Sequence, residues 1–247
     1  RGLAGKGMVY MSALVDRINR FNPTSELSGL NNGAKNEWRS VSKLMYDLLE
    51  KSSRLKAKTN GLFSIEFEGV SKLPNGAHGY ELNNENGQYS VKLNKDTFLN
   101  FGGIGKGFIV DKVYDFLNER GAKNILVNAG GDLRARSIEA PWKVGIMNPY
   151  QKGHCVACLK IRNSAVVSSG ITARNVMKKG EKYTHFFNAN SKQYMVKTPY
   201  SQVTVQGDLA AEAEVYAKCL LMGSNLTLSY GFKGLGVREN TRKVCRL

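Results

Sequence analysis

The sequence lacks any run of about twenty apolar residues, the length that a helix needs to cross a bilayer, so we expect no membrane span. Cysteine and histidine are scarce, at four and three in 247 residues, and no zinc-finger, homeodomain or RNA-recognition signature is present. The five prolines do not form a linker with serine. Since 42% of the residues are hydrophobic, we expect a single domain over residues 1–247 with one large core.

Acidic residues are few beside the basic ones, 20 against 36, which leaves a net charge of +16. Such an excess suits nucleic acid, an anionic membrane surface or a ligand rich in phosphate. The basic residues are dispersed along the chain, so an anionic cofactor explains them at least as well as nucleic acid does. We expect no nucleic-acid partner, and salt-sensitive DNA binding would show the opposite.

The segment Asn100–Asp111, with the sequence NFGGIGKGFIVD, is the most informative part of the chain. Residues 89–93 before it alternate like a strand, and residues 108–117 have the apolar spacing of a helix. Between the two lie Gly102, Gly103, Gly105 and Gly107. Their main-chain N–H groups, the start of the helix and Lys106 would together favour a phosphate or pyrophosphate. A glycine-rich turn with a solvated lysine is the alternative reading.

Two later strands also end in small polar residues. The apolar run from Asn124 is followed by Asn128, Gly130, Gly131 and Asp132, and the run from Ala165 ends in Ser169 and Gly170. Three strand ends of this kind suggest three loops that converge on one site.

Four motifs, SELSGLN, GGIGKGFIVD, NILVNAGGDL and AVVSSG, occur here in the order that they have in the FAD:protein FMN transferase (ApbE) family. The sequence resembles that family from about residue 6 to about residue 223. The resemblance implies an α+β fold of mixed and antiparallel sheets with packed helices, a duplicated T-fold-like architecture. Because no regular βαβ repeat is visible, the residues themselves also favour this class over a doubly wound sheet.

The resemblance further implies transfer of FMN from FAD to a Ser or Thr hydroxyl of a target protein, with release of AMP. FAD and that target protein would be the partners. The resemblance also implies an exported protein, periplasmic or membrane-associated, with a lipid anchor outside the 247 residues. We expect a mature or trimmed form, because the sequence starts abruptly at Arg1 without a signal peptide.

Site residues follow from the same resemblance, position by position. The implied cofactor-binding residues are Ser25, Glu26, Asn31, Gly102, Gly103, Lys106, Asp111, Gly130, Gly131, Ser169 and Gly170. The implied catalytic residues are His185, as the base that takes the hydroxyl proton, and Lys106, as a positive charge on the phosphates. A histidine alone on a strand is also often a core or surface residue, so that alternative for His185 stays open.

The chain departs from the family at the implied magnesium site. The family pattern ADALATAL places Asp and Thr four residues apart, whereas this chain has Glu214 and Lys218 there, and the Gly105 carbonyl would be a further metal ligand. Residues four apart on a helix share a face, so the plain reading is an ion pair. We expect weak or absent Mg²⁺ binding and slow or no cleavage of FAD. The alternative function is a catalytically degenerate flavin- or nucleotide-binding relative that acts as a binding or assembly subunit.

The remaining pattern predicts elements along the chain. It predicts a strand over residues 5–10 and helices over residues 11–21 and 41–56. It then predicts a polar surface excursion over residues 66–88 and a hairpin or meander of residues 158–161 with 165–169. The last predicted elements are a strand over residues 201–206, a helix that is capped by Asp208 and runs to about residue 222, and a strand pair in the tail. Cys155 and Cys158 form a CxxC on a predicted strand, where residues three apart point to opposite faces, which favours structural cysteines.

Overall fold

A computed structural model of the chain describes residues 2–66, 79–95, 97–171, 175–178, 181–184, 187–188, 193–194 and 197–247, and describes no side chain between residues 172 and 196. It divides into two compact units. The N-terminal unit comprises residues 8–105, and the C-terminal unit comprises residues 1–7 and 106–247. No helix in the described ranges is long and apolar enough to cross a membrane.

The N-terminal unit holds a small antiparallel sheet and helices that pack by their apolar faces. Its elements are α2 (Glu26–Asn32), β1 (Trp38–Ser40), α3 (Lys43–Lys58), β2 (Tyr80–Glu85) and β3 (Gln88–Leu93), with α1 (Leu3–Ile18) shared between the units. The strand order is β1-β3-β2. Helix α3 buries Met45, Leu48 and Leu49 on one face, and the Ser42 hydroxyl accepts the amide N–H of Met45 at 3.2 Å, which caps its start.

The C-terminal unit is built on a six-stranded antiparallel sheet with the order β15-β14-β13-β8-β5-β4. Its helices are α4 (Gly105–Glu119, with Gly105 counted in the N-terminal unit) and α5 (Ala210–Leu221). The strands of this sheet are β4 (Ile125–Ala129), β5 (Asp132–Arg136), β8 (Asn163–Gly170), β13 (Tyr200–Gly207), β14 (Lys233–Arg238) and β15 (Val244–Arg246). The two-stranded sheets are β6 (Trp142–Met147) with β7 (Cys155–Ile161), β9 (Asn175–Lys178) with β10 (Glu181–Thr184), and β11 (Phe187–Asn188) with β12 (Gln193–Tyr194).

The two faces of strand β5 have different chemistry. Leu133 and Ala135 point to one face and form an apolar cluster with Ile146 and Ile161 of the β6–β7 hairpin. The opposite face carries Asp132, Arg134 and Arg136, which bond to side chains of α4. Helix α5 packs against β8 and β13. The sheet therefore has an apolar cluster on one face of β5 and ionic contacts to α4 on the other.

Several predicted elements are confirmed and two are wrong. The strand predicted over residues 5–10 is wrong, because these residues lie in α1, which buries Gly7 and Leu14 two helical turns apart. The predicted pairing of 158–161 with 165–169 is also wrong, because β7 pairs with β6 while β8 pairs with β5 and β13. Strand β2 lies inside the segment predicted as a polar surface excursion, and residues 67–78 of that segment lie outside the described residues.

Candidate functional site

Two buried carboxylates and two ammonium groups meet near the start of α4. Asp132 is 1% exposed and Glu214 is fully buried. The Lys106 ammonium donates to the Asp132 carboxylate and lies 3.5 Å from Oε1 of Glu214. The Lys218 ammonium donates to the same Oε1 at 2.6 Å. Because buried charges are tolerated when they are paired and hydrogen-bonded, these four residues form one neutral unit, which we call the charge cluster.

The second oxygen of Glu214 is used as well. Oε2 accepts the main-chain N–H of Gly107 at 2.8 Å, in the first turn of α4, where a helix favours negative charge. Burial raises the pKa of Glu214, but the ammonium groups of Lys218 and Lys106 and the hydrogen bonds from Lys218 and Gly107 outweigh it, so the pKa lies below its ordinary value. Glu214 is therefore held as a carboxylate although water does not reach it.

The pKa values of the other partners follow from the same arrangement. Burial and the neighbouring charge of Glu214 raise the pKa of Asp132, against the lowering effect of Lys106. For Lys106, burial lowers the pKa, but Glu214 and Asp132 more than offset it and leave the pKa raised. The Lys106 side chain is 53% exposed, and its raised pKa keeps the ammonium charged.

Gly107 is required by packing within the C-terminal unit. A Cβ at this position would collide with the main-chain carbonyl of Ala210 and would lie 2.7 Å from the Cα of Ala211. The bare Cα lets α4 approach the start of α5 closely enough for the Gly107 amide to reach Glu214.

Asp111 caps α5 from the neighbouring helix. Its two carboxylate oxygens accept the N–H groups of Ala210 and Ala211, each at 3.0 Å, and Nη1 of Arg134 lies 3.1 Å from Oδ1. The prediction that Asp208 caps this helix is wrong, because the N-cap residue is Leu209 and the first N–H groups of α5 bond to Asp111 instead. A contact of Asp111 with a nucleotide stays a prediction.

Two candidates of the N-terminal unit cap helices. The Ser25 hydroxyl accepts the Ser28 N–H at 3.0 Å and caps α2. Glu26 accepts both the main-chain N–H and the hydroxyl of Ser42 at 2.7 Å, so its carboxylate holds the residue before α3.

Asn31 is buried and clamps the segment that leads into the glycine-rich stretch. Its amide nitrogen donates to the Leu99 carbonyl at 2.9 Å, and its amide oxygen accepts the Leu99 N–H at 2.8 Å. Such a two-way bond fixes the main chain at Leu99, so Asn31 positions the residues that follow.

The glycine-rich stretch is less open than its sequence predicts. The amide of Gly102 donates to the Asn100 side chain at 2.9 Å, and that of Gly105 donates to the Phe101 carbonyl at 2.7 Å. With Gly107 bonded to Glu214, the expectation of an open cradle of N–H groups is wrong for these three glycines. At Gly103 a Cβ would lie 3.0 Å from the Phe63 ring, so a larger residue there would require that ring to shift.

Two of the predicted loops reach the same end of the six-stranded sheet. Gly130 and Gly131, with φ of +66° and +100°, make the two-residue turn between β4 and β5, which needs left-handed backbone. Ser169 and Gly170 end β8, which runs antiparallel to β5. The end of β8 therefore lies beside the start of β5, where Asp132 bonds to Lys106.

Two further residues, His185 and Asp132, bear on the site. His185 lies outside the described residues, so its role as the base stays a prediction. Asp132 was noticed only as a small polar residue after a strand, although it is the buried partner of Lys106. Its signal was the acid that directly follows the Gly130–Gly131 turn.

The residues at the implied magnesium position do not fit a magnesium ion. Mg²⁺ requires several oxygen ligands in octahedral geometry, whereas Lys218 is a donor without an acceptor atom. Both oxygens of Glu214 already bond to N–H donors. In the described part of the chain, no group of three or more His, Cys, Asp or Glu side chains could hold a metal ion.

Comparison with known sequences identifies the relatives of this arrangement. The profile of the ApbE family matches residues 7–230. The FAD:protein FMN transferase of Escherichia coli (strain K12) is 23% identical over 231 residues, which cover 82% of this chain and 63% of that protein. An FAD:protein FMN transferase of Klebsiella pneumoniae (strain 342) is 27% identical over 143 residues, which cover 58% of this chain and 43% of the relative. The chain thus spans less than two thirds of the length of these relatives.

Solved structures confirm the fold class. The ApbE protein from Thermotoga maritima superposes with a TM-score of 0.83 at 18% identity and covers 99% of this chain and 88% of its own. The flavinyl transferase ApbE of Pseudomonas stutzeri gives a TM-score of 0.81 at 18% identity, with 99% and 85% covered. These likenesses confirm the predicted α+β architecture.

Proposed function

Because the chain belongs to the ApbE family, we propose that it is an FAD:protein FMN transferase. The hydroxyl oxygen of a Ser or Thr on a target protein attacks the FMN phosphorus of FAD. A new P–O bond forms to the target, the bond from that phosphorus to the bridging oxygen breaks, and AMP leaves with the bridging oxygen. The hydroxyl proton passes to a base, for which His185 is the proposed residue.

The position of Lys106 carries this proposal. Phosphoryl transfer needs little covalent help from a protein and much neutralisation of phosphate charge. The Lys106 side chain is half exposed at the start of α4, and two buried carboxylates keep its ammonium charged and in place. A fixed ammonium at a helix N-terminus, inside the family's glycine motif, is suited to bind the pyrophosphate of FAD.

The test combines flavin transfer with removal of that charge. The protein is incubated with FAD and a Ser- or Thr-containing acceptor protein, and AMP and covalently bound flavin are measured. Lys106→Ala removes a charge-assisted contact, so the affinity for FAD should fall by roughly tenfold to a hundredfold. Lys123→Ala, which removes an exposed lysine of the C-terminal unit, serves as the matched control and should bind FAD like the unmodified protein. Equal affinities of the two variants would place the flavin elsewhere.

The bond between Lys218 and Glu214 favours a second candidate function. An ammonium in this place supplies one positive charge and cannot bridge phosphate oxygens as a metal does. A flavin- or nucleotide-binding relative without turnover, which serves as a binding or assembly subunit, would have this arrangement. FAD binding without AMP release in the same assay would favour this second function.

The proposal includes a location. We propose export, with a periplasmic or membrane-associated protein held by a lipid anchor outside these residues, and the support for it is the family resemblance. Fractionation of cells that produce the full-length protein would test it, and recovery with the cytoplasmic fraction would contradict it.

A further inference from the structure

We infer that the charge cluster replaces magnesium with the Lys218 ammonium, so that this chain binds FAD without a divalent metal. The inference rests on the proposed function for its ligand, FAD. It concerns the same site, and it assigns to Lys218 the role of a fixed cation beside the pyrophosphate.

The oxygen atoms of Glu214 that could bind a magnesium ion already accept hydrogen bonds. Glu214 offers two oxygens, of which one accepts the Gly107 N–H at 2.8 Å and the other accepts the Lys218 ammonium at 2.6 Å. A protonated lysine has three donors and no lone pair, so it adds no ligand of its own. A metal at Glu214 would therefore have to share an oxygen that already accepts one of these two donors.

The net charge of the charge cluster also bears on metal binding. The cluster contains the carboxylates of Asp132 and Glu214 and the ammonium groups of Lys106 and Lys218, which sum to zero. A dication added beside the fully buried Glu214 would leave an excess of two positive charges where water cannot screen them. In the ligand-free protein the cluster is already neutral and therefore disfavours a bound Mg²⁺.

The Lys218–Glu214 ion pair differs from an ordinary ion pair on a helix surface. Lys43 and Asp47 are also four residues apart, but the Lys43 side chain is 65% exposed and its partner 24% exposed. In the Lys218–Glu214 pair the lysine is 19% exposed and the glutamate is fully buried. Loss of one partner of a buried pair leaves an uncompensated charge, whereas loss of an exposed pair costs little. The Lys218 ammonium is therefore held beside Glu214 more firmly than the Lys43 ammonium is held beside Asp47.

The consequence for the ligand is a site with two single positive charges. Lys106 is 53% exposed and Lys218 is partly exposed, so both can face an anion while the carboxylates hold them from behind. Together they supply the charge that one magnesium ion would supply, as point charges without metal coordination. Affinity for FAD, and any AMP release, should then be the same in EDTA as in Mg²⁺.

The experiment measures FAD binding to the unmodified protein by flavin fluorescence, in excess EDTA and in millimolar Mg²⁺. We expect equal dissociation constants in the two buffers, and no heat of binding when Mg²⁺ alone is titrated into the protein in a calorimeter. A saturable increase in FAD affinity with Mg²⁺ would overturn the inference and leave the proposed function standing. Failure to bind FAD in either buffer would overturn both.

Variants at Lys218 separate the charge from the rest of the side chain. Lys218→Thr removes the ammonium and frees one oxygen of Glu214, so FAD affinity in EDTA should fall by roughly tenfold or more and Mg²⁺ should restore part of it. Lys218→Arg keeps the charge and should remain indifferent to Mg²⁺. Lys43→Met breaks the exposed pair and is the matched control for loss of one lysine charge, with unchanged binding in both buffers.

FAD binding by the Lys218 variants either supports or contradicts the inference. FAD binding by Lys218→Thr at the unmodified protein's affinity in EDTA would show that Lys218 does not face the ligand and would overturn the inference. Circular dichroism checks that each variant folds. If Lys218→Thr does not fold, equal FAD affinity of Lys218→Arg in EDTA and in Mg²⁺ supports the inference, and a gain of affinity with Mg²⁺ contradicts it.

Discussion

Asp111 connects two helices through a single carboxylate. It lies one and a half turns into α4, yet its oxygens accept the first two N–H groups of α5, and the Arg134 guanidinium lies against the same carboxylate. The start of a helix exposes N–H groups that need acceptors. Here another helix supplies the acceptor, and the position of α5, which carries Glu214 and Lys218, depends on it.

Asp111→Ala should therefore destabilise the protein. It leaves the amides of Ala210 and Ala211 without these acceptors and removes one carboxylate beside Arg134, at a cost of about 1–3 kcal/mol. Urea unfolding followed by circular dichroism measures the change in the free energy of unfolding. Asp111→Asn retains one acceptor and should fall between the two, and equal stability of all three proteins would contradict this role.

Glu214 predicts a pH-dependent stability. Its pKa in the folded state lies below the ordinary value, so its contribution is present above the ordinary carboxyl pKa of about 4.3 and is lost as the pH falls through the lowered folded-state pKa. Asp132, with a raised pKa, opposes this between its ordinary and its raised value. Glu214→Gln should be destabilised near neutral pH, and the difference from the unmodified protein should shrink in acid.

The measurement for Glu214 is urea unfolding over a series of pH values. The matched control is Glu119→Gln, since the Glu119 side chain is 72% exposed and its loss should leave the pH profile nearly unchanged. A difference between Glu214→Gln and the unmodified protein that stays constant with pH would show that the carboxylate is not held ionised by its lysine partners.

Helix α4 packs on one face of strand β5 and also carries Lys106 and Gly107, which contact the carboxylates of the charge cluster. Arg134 and Arg136, two residues apart on one face of the strand, bond to Asp111 and Asn118 on the helix. At its start, Gly107 brings the main chain against α5. The helix is thus placed by polar contacts along its length and by one close approach at its beginning.

Gly107→Ala should disturb that approach. The new methyl group would collide with the Ala210 carbonyl, which belongs to rigid helix backbone, so a loss of about 1–3 kcal/mol in unfolding free energy is expected. Gly29→Ala in α2 is the control, because its Cβ would meet no atom within 4 Å and alanine stabilises an open helical position by about 0.4–1 kcal/mol. Thermal unfolding should shift in opposite directions for the two variants, and a common direction would contradict the packing argument.

Over the molecule as a whole, the four cysteines sit in different environments. Cys155 and Cys158 are exposed on β7, Cys245 is partly buried, and Cys219 is buried in α5. Burial raises the pKa of the Cys219 thiol to about 12. The strand predicted for the CxxC is confirmed, and all four thiols are free.

Alkylation should report these environments. Because the thiolate is the reactive form, iodoacetamide at neutral pH should modify Cys155 and Cys158 in the native protein while Cys219 reacts only after unfolding. Peptide mass spectrometry of samples taken over time measures each site, and the fully denatured protein is the control. Modification of Cys219 at the rate of Cys155 would show that α5 opens in the native state.

Local patterns predicted most elements, because apolar periodicity and turn residues act over a few positions. The helix predicted from residues 108–117, which lies in α4, and the strand predicted over 201–206, which lies in β13, are examples. The motif residue Lys106 and the Glu214–Lys218 pair were also predicted, the pair because four residues make one helical turn. The family, and through it the fold class, followed from motifs in order.

Contacts between distant positions could not be read in the same way. Asp111 and Ala210 are 99 residues apart, so local sequence favoured Asp208 as the cap of α5. The Gly107 amide looks free in the sequence, but folding gives it an acceptor 107 residues away, the Glu214 carboxylate. Lys106 reaches Asp132 and Glu214 only because α4, β5 and α5 pack together. Burial of those carboxylates, which makes a helical ion pair part of a neutral cluster, is a property of that packing and not of any short segment.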